Sequence, residues 1–335
     1  MIRAAALAGA LSALVVLVPS SAATATRAAP SAPRWRVVVE PKAGYSFLDR
    51  AIHGAHHSVL VEMYELADAT VVADLIAASH RRIAVEVLLD RDYSAGYVNQ
   101  PAFLTLVAHH VAVRWANSVS IFHEKALVVD GSLAYVGSGN LTAKYYATTR
   151  DFWVADPLHA DIAAITSVFR ADWAGGAPAP GPHGADLVWS PNAEPTFLTL
   201  ISHARRSIIF ESEELSDAYV IDALVAAARR HVAVRVIMTY SAEWRSAFQR
   251  LIAAGAAVHV FHGEHPVYIH AKALCVDCTT GARGTGTVVV GSQNLSYSSL
   301  AFNRELSIRT AARALVSPID AVLRADFLAA PRYRP

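Results

Sequence analysis

The amino-acid sequence repeats itself, and this duplication limits the folds that the chain can adopt. Residues 47–68 are echoed by residues 197–217, and residues 81–87 by residues 229–236 to within one residue of register. Near the end of each copy, the segment FRADW at 169–173 corresponds to LRADF at 323–327. Self-similarity on this scale indicates two copies of one structural unit. We therefore expect two homologous domains.

Each copy alternates short β-branched runs with Ala-rich segments of helical periodicity. This alternation is typical of an α/β sandwich, in which helices flank a mixed sheet. Two such domains are expected to pack about a pseudo-twofold axis, which is a natural place for a site. The predicted strands are 59–63, 84–89, 111–115, 208–211, 232–238 and 257–261, and the predicted helices are 71–82, 101–109, 220–230 and 244–254.

The N-terminal residues read as an export signal, with a basic start, an apolar stretch from 4 to 18 and small residues near 23–25. We therefore expect a signal peptide over 1–25 and a secreted mature protein, extracellular or periplasmic. A Gly/Pro-rich stretch between the copies predicts a linker. The predicted boundaries are 34–173 for the first domain, 174–186 for the linker and 187–330 for the second domain.

The charge and the cysteine content of the chain exclude few classes of function. The chain has 29 basic and 28 acidic residues, and the mature form without Arg3 is formally neutral. It therefore lacks the broad positive field of a dedicated nucleic-acid binder, although a local basic groove stays open. The only cysteines, Cys275 and Cys278, form a C-x-x-C pair that fits either a disulfide or two free thiols. A second C-x-x-C, as in a zinc site, is absent from the sequence.

One polar motif occurs at the same place in both copies. FHEKALVVD begins at Phe122, and its counterpart HAKALCVD begins at His270, so both fit His-x-Lys-x4-Asp. Gly-Ser-x-Asn follows each motif, and an Arg-acid pair follows each asparagine. The matched positions are His123, Lys125 and Asp130 with His270, Lys272 and Asp277; then Ser138 and Asn140 with Ser292 and Asn294; then Asp151 with Glu305.

Residue choice within the motif indicates a phosphoryl site. The chain has 25 arginines but only four lysines, and two of the four occupy equivalent motif positions. A lysine is a compact point charge on a flexible stem, suited to a phosphate oxygen in a crowded site. Residues i and i+2 of a strand share a face, so each histidine is expected beside its lysine. Each aspartate lies on the opposite face, so we interpret Asp130 and Asp277 as structural residues that bond at a turn.

With two complete motifs, the mature chain resembles the phospholipase D superfamily over nearly its whole length. The resemblance implies a metal-independent phosphodiesterase, without cofactor, that acts through a covalent phosphohistidine. One motif histidine attacks phosphorus, the other protonates the leaving oxygen, and the roles then reverse. We expect His123 to attack first, with His270 as the acid. The chemistry agrees, because imidazole is a nucleophile when neutral and a proton donor when charged near pH 7.

The resemblance also implies roles for the remaining motif residues. Asp151 and Glu305 are expected to orient the histidine of their own half, and the Asp/Glu difference suggests that the halves are not identical in function. The lysines, the serines and the asparagines are expected to hold the phosphate and to stabilise its equatorial oxygens. Both motifs lie in one chain, so we expect the protein to be a monomer. A binding-only descendant remains an alternative, although no motif residue is missing.

Two substrate classes compete. A phospholipase D that hydrolyses glycerophospholipid headgroups, or transfers the phosphatidyl group to an alcohol, is favoured by the neutral charge and by aromatic residues in predicted loops. A nuclease is favoured by the compact halves and by arginine beside aromatic residues, which suits single strands. A lipid synthase is disfavoured by the lack of a permanent anchor. The aromatic and apolar candidates are Tyr97, Phe103, Trp115, Ile121, Trp244, Phe248, Tyr268, Tyr297 and Phe302.

Two further groups of residues tempt a functional interpretation. Glu62 and Glu211 share one repeat position, where an acid can reach the cleft or face solvent. Three histidines at 259, 262 and 265 have a spacing that suggests a metal, but the stretch leads into the second motif and is better interpreted as a rim loop. We assign no metal site.

Overall fold

The structure, a computed structural model, describes residues 1, 34–91, 93–117, 120–278 and 286–335. Residues 33–335 form one compact unit. The predicted signal peptide beyond Met1, and most of the Gly-rich run between Cys278 and Thr287, lie outside the described residues. Among the described residues, no helix is both long and apolar enough to cross a lipid bilayer.

The first half starts with a strand and ends with a long helix. Its elements in chain order are β1 (Arg36–Val39), α1 (Ser46–His53), β2 (Ser58–Met63), α2 (Ala69–His80), β3 (Ala84–Leu89), α3 (Tyr93–Ala108), β4 (Ala112–Trp115), β5 (Lys125–Val129), β6 (Leu133–Gly137), β7 (Thr149–Arg150), β8 (Phe152–Asp156) and α4 (His159–Trp173).

The second half repeats this order with small differences. Its elements are β9 (Leu187–Ser190), α5 (Glu194–His203), β10 (Ser207–Glu211), α6 (Ala218–Arg229), β11 (Ala233–Thr239), α7 (Arg245–Ala253), β12 (Ala257–Phe261), β13 (Tyr268–Ile269), β14 (Ala273–Val276), β15 (Thr287–Gly291), α8 (Tyr297–Ala301), β16 (Glu305–Thr310) and α9 (Arg313–Ala329). The strands and helices expected from the sequence are confirmed to within a few residues, except that α3 begins eight residues earlier.

Each half builds a seven-stranded mixed sheet from the described residues. The strand orders are β1-β8-β6-β5-β2-β3-β4 and β9-β16-β15-β14-β10-β11-β12, which correspond strand for strand. In both sheets three strands are parallel, β2 to β4 and β10 to β12, and the motif strands β5 and β14 run antiparallel to their neighbours. The duplicated α/β architecture predicted from the sequence is therefore confirmed.

The apolar core explains why the two halves form one body. One cluster of buried side chains includes residues from β5, β6 and β8 together with β15 and β16, and α4 and α9 contribute to it as well. Each sheet also has a cluster of its own on its outer face. The cluster of the first half lies beneath α1, α2 and α3, and the cluster of the second half lies beneath α5, α6 and α7. Because the sheets share the central cluster, neither half can bury its inner face alone.

Residues 174–186, which the sequence predicts as a linker, contain neither helix nor strand. They nevertheless pack against both halves. Arg304 of the second half donates to the Ala179 carbonyl at 2.6 Å, and the amide of Asn117 in the first half donates to the Gly175 carbonyl at 3.1 Å. The domain boundaries themselves stay a prediction.

The two motif aspartates hold equivalent turns. Asp130 and Asp277 have positive φ angles of 53° and 54°, a conformation that aspartate tolerates better than most residues. The Asp130 carboxylate accepts backbone N–H groups of residues 56, 57 and 58, and that of Asp277 accepts those of residues 205, 206 and 207. These bonds lower the pKa of both carboxyls despite the opposing effect of partial burial. Both contacts agree with the structural role expected from the sequence.

The turn at Asp277 also brings the two cysteines together. Cys275 and Cys278 form a disulfide, with their Cα atoms 5.9 Å apart. In a fully extended segment three residues span roughly 10 Å, so the reversal of the chain at the positive-φ aspartate makes the bond geometrically accessible. The alternative of two free thiols is excluded in this structure.

We expect Asp130→Ala to destabilise the fold by about 2–4 kcal/mol, because three backbone donors lose a charged acceptor. The midpoint of urea unfolding, followed by far-UV circular dichroism, measures the loss. Asp222→Ala is a matched control, since the exposed Asp222–Arg250 pair on α6 and α7 contributes about 1 kcal/mol or less. Equal midpoints for the two variants would contradict the structural role of Asp130.

Candidate active site

The first motif histidine is held by the second half. The backbone N–H of His123 donates to the carbonyl of Arg304 at 2.9 Å, and a parallel bridge joins Phe122 to the same arginine. The next residue, Glu305, then places its carboxylate oxygen 2.9 Å from Nδ1 of His123. Because Nδ1 is occupied, Nε2 is the nitrogen that remains for chemistry.

The second motif histidine is held by the first half in the same way. The backbone N–H of His270 donates to the carbonyl of Arg150 at 3.3 Å, where β13 pairs in parallel with β7. The next residue, Asp151, places Oδ1 2.8 Å from Nδ1 of His270. The expectation that each acid orients the histidine of its own half is therefore wrong, since each one serves the opposite half.

Buried ion pairs fix the segments that carry these acids. Nε of Arg304 lies 2.8 Å from Asp172 at the end of α4, and Nε of Arg150 lies 2.6 Å from Asp326 in α9. Each pair joins an arginine of one half to a helix of the other. Sequence reasoning noted both arginines and both FRADW-like segments but gave them no role. Their recurrence in both copies was the available signal.

The motif lysines are buried directly beside the histidines. Lys125 and Lys272 are 1% and 3% exposed, and each ammonium donates to the backbone carbonyl of its own motif histidine, at 2.7 and 2.6 Å. Burial, followed by repulsion from Lys272, lowers the pKa of Lys125 to about 7. The expected association of histidine and lysine is present, although each histidine precedes its strand instead of lying within it.

The serines of the Gly-Ser-x-Asn segments do not reach the space in front of the histidines. Ser138 is fully buried and donates to Asp151 Oδ1 at 2.6 Å. Ser292 is also fully buried, bonds the backbone of Leu306 and contributes a hydrogen bond to Glu305. The prediction that these serines contact phosphate is corrected: they support the acids that hold the histidines.

A cavity of about 340 Å³ lies between the halves and is lined by both motif histidines. Asn140 and Asn294 line it at equivalent positions, where their amides can face a ligand as the sequence predicts. Of the aromatic candidates from the sequence, Tyr268 lies in the lining, whereas Phe248 is fully buried in the second-half core. Tyr64 and Tyr145 also line the cavity and were missed by sequence reasoning.

The cavity is acidic as well as aromatic. Four glutamates join Asp151 in its lining, and sequence reasoning assigned none of them: Glu65, Glu213, Glu214 and Glu264. Repulsion between these groups and a polyanion would be strong at such short range. The cavity is therefore a better fit for a single phosphate group than for a continuous phosphate backbone.

The two histidine–acid pairs differ in their electrostatics. Burial, followed by the charges of Lys125 and Lys272, holds the pKa of His123 well below its usual range. Burial raises the pKa of its partner Glu305 to about 7. Burial also acts to raise the pKa of Asp151, but the neighbouring His270 and Lys272 and the Ser138 hydrogen bond lower it overall. His123 is thus neutral at pH 7, and the acid opposite His270 is ionised.

The repeated glutamates of β2 and β10 are buried and lie outside the cavity lining. Glu62 lies with Glu124 and Asp172 in a cluster whose carboxylate oxygens are within 4.8 Å of one another. Arg304 lies against the cluster, with Nε 3.3 Å from Glu124 and 2.8 Å from Asp172. Glu211 lies beside Arg150 and Asp326 at the equivalent place. Neither of the two alternatives weighed for Glu62 and Glu211 is correct, because both side chains are buried away from solvent and neither lines the cavity.

The three closely spaced histidines do not form a ligand set among the described residues. His259 stacks on Phe327, and its Nδ1 lies 2.7 Å from the Ala330 carbonyl. His262 and His265 are joined by an antiparallel bridge, and both are exposed.

A comparison of sequences gives matches in both halves. A family profile described as "Cardiolipin synthase, PLD-like domain" matches residues 48–173 and 197–327. Cardiolipin synthase A of Pseudomonas entomophila (strain L48) is 25% identical over 336 residues, covering 87% of this chain and 68% of that protein.

Two solved structures have folds similar to that of this chain. The crystal structure of phosphatidylserine synthase from Haemophilus influenzae Rd KW20 matches with a TM-score of 0.69 at 8% identity, covering 89% of this chain and 87% of that chain. Polyphosphate kinase from Porphyromonas gingivalis matches with a TM-score of 0.68 at 14% identity. That match covers 87% of this chain but only 46% of the kinase, so this chain spans less than half of its length.

The crossed pairing predicts that Asp151→Asn changes the imidazole of His270 and leaves that of His123 unchanged. The ¹⁵N shifts of selectively labelled histidine report the tautomer, and His123→Asn and His270→Asn assign the two signals. Glu305→Gln is the matched control, with the converse result. A changed ¹⁵N shift of His123 in the Asp151 variant would contradict the crossed pairing and indicate that Asp151 pairs with the histidine of its own half.

Proposed function

Because the chain belongs to the phospholipase D-like family, matched in both halves, we propose that it is a phospholipid phosphodiesterase that works through a phosphohistidine intermediate. One observation carries the proposal. Two histidines from opposite halves line one cavity, and each has Nδ1 fixed by a buried carboxylate. A nucleophile and a proton donor can therefore face one phosphate without a metal.

The first step uses the neutral histidine. The lone pair on Nε2 of His123 attacks phosphorus, and the bond from phosphorus to the leaving oxygen breaks. Nε2 of His270 supplies its proton to that oxygen, so the alcohol leaves neutral. Charge on the equatorial oxygens is stabilised by Lys125 and Lys272, which are already desolvated.

The second step reverses these roles. Neutral His270 takes a proton from water or from a second alcohol, whose oxygen then attacks phosphorus. The bond from phosphorus to Nε2 of His123 breaks, and the imidazole is regenerated with Nδ1 still paired to Glu305. Water gives hydrolysis and an alcohol gives transfer, so one site supports both outcomes.

A phospholipid is the substrate class that we favour. The matching family profile and the Pseudomonas entomophila relative described above carry the name cardiolipin synthase, and cardiolipin is a phospholipid. The glutamates in the cavity disfavour a nucleic acid, whose successive phosphates would meet them. The proposal includes export, on the basis of the N-terminal sequence pattern alone.

Vesicles and nucleic acid offered side by side test the substrate class. We expect phosphatidic acid from phosphatidylcholine or phosphatidylglycerol vesicles, and phosphatidylethanol when ethanol is added, with plasmid and single-stranded DNA left intact. His123→Asn and His270→Asn should each lower lipid turnover by at least about 10³-fold, because each removes a reacting group. DNA cleavage without lipid turnover would select the nuclease, and normal turnover by either variant would refute the mechanism.

The pH dependence follows from Glu305, whose pKa lies at about 7. Below that pH the protonated carboxyl donates to Nδ1 of His123, so the ring proton moves to Nε2, the nitrogen that must attack. We therefore expect kcat/KM to rise on the acid side as Glu305 deprotonates and to fall on the alkaline side as Lys125, whose pKa is also about 7, loses the charge that stabilises the phosphate, with apparent pKa values that belong to the coupled groups. A rate independent of pH between about 5.5 and 8 would contradict this order of attack.

A further inference from the structure

Besides the difference between Asp151 and Glu305, the duplicated site is unequal at a second position of the repeat. The alignment that matches Glu62 with Glu211 and Asp68 with Asp217 also matches Tyr64 with Glu213. Both residues line the cavity, each beside the motif histidine of its own half. One half therefore presents a neutral ring where the other presents a carboxylate.

The carboxylate of Glu213 lies within reach of both cationic groups of its half. Its Oε2 is 2.9 Å from Nζ of Lys272 and 3.5 Å from Nε2 of His270. The hydroxyl of Tyr268 donates to Oε1 at 3.2 Å, which fixes the orientation of the group. Burial acts to raise the pKa of Glu213, but Lys272 and His270 lower it well below the usual range, so the carboxylate is ionised.

His270 consequently faces carboxylates on both ring nitrogens. Asp151 lies 2.8 Å from Nδ1, and Glu213 lies 3.5 Å from Nε2. The positive group that opposes them is Lys272, which is bound to Glu213. An imidazole between two carboxylates can donate to both only when both of its ring nitrogens carry a proton.

His123 has a different environment. Its ring meets the ring of Tyr64 edge to face, with centroids 4.7 Å apart, and the same tyrosine ring lies 4.8 Å from Nζ of Lys125. Its carboxylate partner, Glu305, pairs with Nδ1. Burial, followed by the charges of Lys125 and Lys272, favours a neutral imidazole and outweighs the opposing charge of Glu213.

From this inequality we infer that Glu213 is a positioning residue that decides which histidine carries the proton before substrate binds. It keeps the proton on His270 and so reserves His123 as the nucleophile. The inference rests on the proposed function. The proton held at Nε2 of His270 is the one that passes to the leaving oxygen while the bond from phosphorus to His123 forms.

Glu213 also forms an ion pair with the ammonium of Lys272, which the proposed reaction uses to bind a phosphate oxygen. A bound phosphate would compete with Glu213 for Lys272, so Glu213 assists the placement of the proton but opposes the binding of phosphate. Removing its charge should therefore not raise KM, and the loss should appear in the step that needs the proton.

Two phosphodiesters with different leaving groups test this separation. An alkyl alcohol needs a proton to leave, whereas p-nitrophenolate leaves without one. We expect Glu213→Gln to slow first-turnover release of the alkyl alcohol by about 10²-fold, the lower range for general acid catalysis, and to leave p-nitrophenolate release nearly unchanged. Glu264→Gln removes a carboxylate from the same lining and should affect both esters equally. An equal loss for both esters in Glu213→Gln would overturn the inference.

Exchanging the two residues is a second, independent test. In the double variant Tyr64→Glu/Glu213→Tyr, the phosphohistidine trapped from the p-nitrophenyl ester should map to His270, whereas in the wild-type protein it should map to His123. Labelling of His123 in both proteins would overturn the inference but leave the proposed function intact. Absence of any phosphohistidine in the wild-type protein would instead refute the proposed function. If the double variant does not fold, the leaving-group comparison decides.

Discussion

The pairing of each motif histidine with a carboxylate of the opposite half is the interaction on which the site depends. His123 and Glu305, like His270 and Asp151, are joined by a side-chain contact and by a backbone hydrogen bond one residue earlier. The backbone hydrogen bond fixes the position of the histidine in the site, and the carboxylate fixes which ring nitrogen carries the proton. Neither half holds its own histidine in this way, so the two halves must be associated for the site to exist.

The association in turn depends on buried groups beneath the site. Arg304 joins the second half to Asp172 of α4, and Arg150 joins the first half to Asp326 of α9. A buried charge pair does not by itself add much stability, because both ions lose their hydration. A shift of one half relative to the other would, however, leave a buried charge unpaired, which is strongly destabilising. We infer that the shared apolar core provides the affinity between the halves and that the arginine pairs provide the register.

The two halves share a backbone but no longer share a chemical environment. The strand orders coincide, and the aspartate turns coincide to within a degree in φ. The side chains near the histidines differ, with Glu305 opposite Asp151 and Tyr64 opposite Glu213. A symmetric site would give both histidines the same proton affinity, whereas an acid and a nucleophile need different ones. Divergence at a few positions can therefore provide the inequality that the reaction requires.

The duplicated α/β fold, the two motifs and the structural role of Asp130 and Asp277 can all be predicted from the amino-acid sequence. Those features follow from local periodicity, from spacing along one strand and from comparison of the chain with itself. Other features are visible only in the tertiary structure. They are the partner of each acid, the supporting position of Ser138 and Ser292, and the contact of Glu213 with Lys272 and His270. The physical reason is that the two halves are equivalent in sequence, so the sequence cannot distinguish a contact within one half from the same contact across the pseudo-dyad. Only the packing of the two sheets makes that choice.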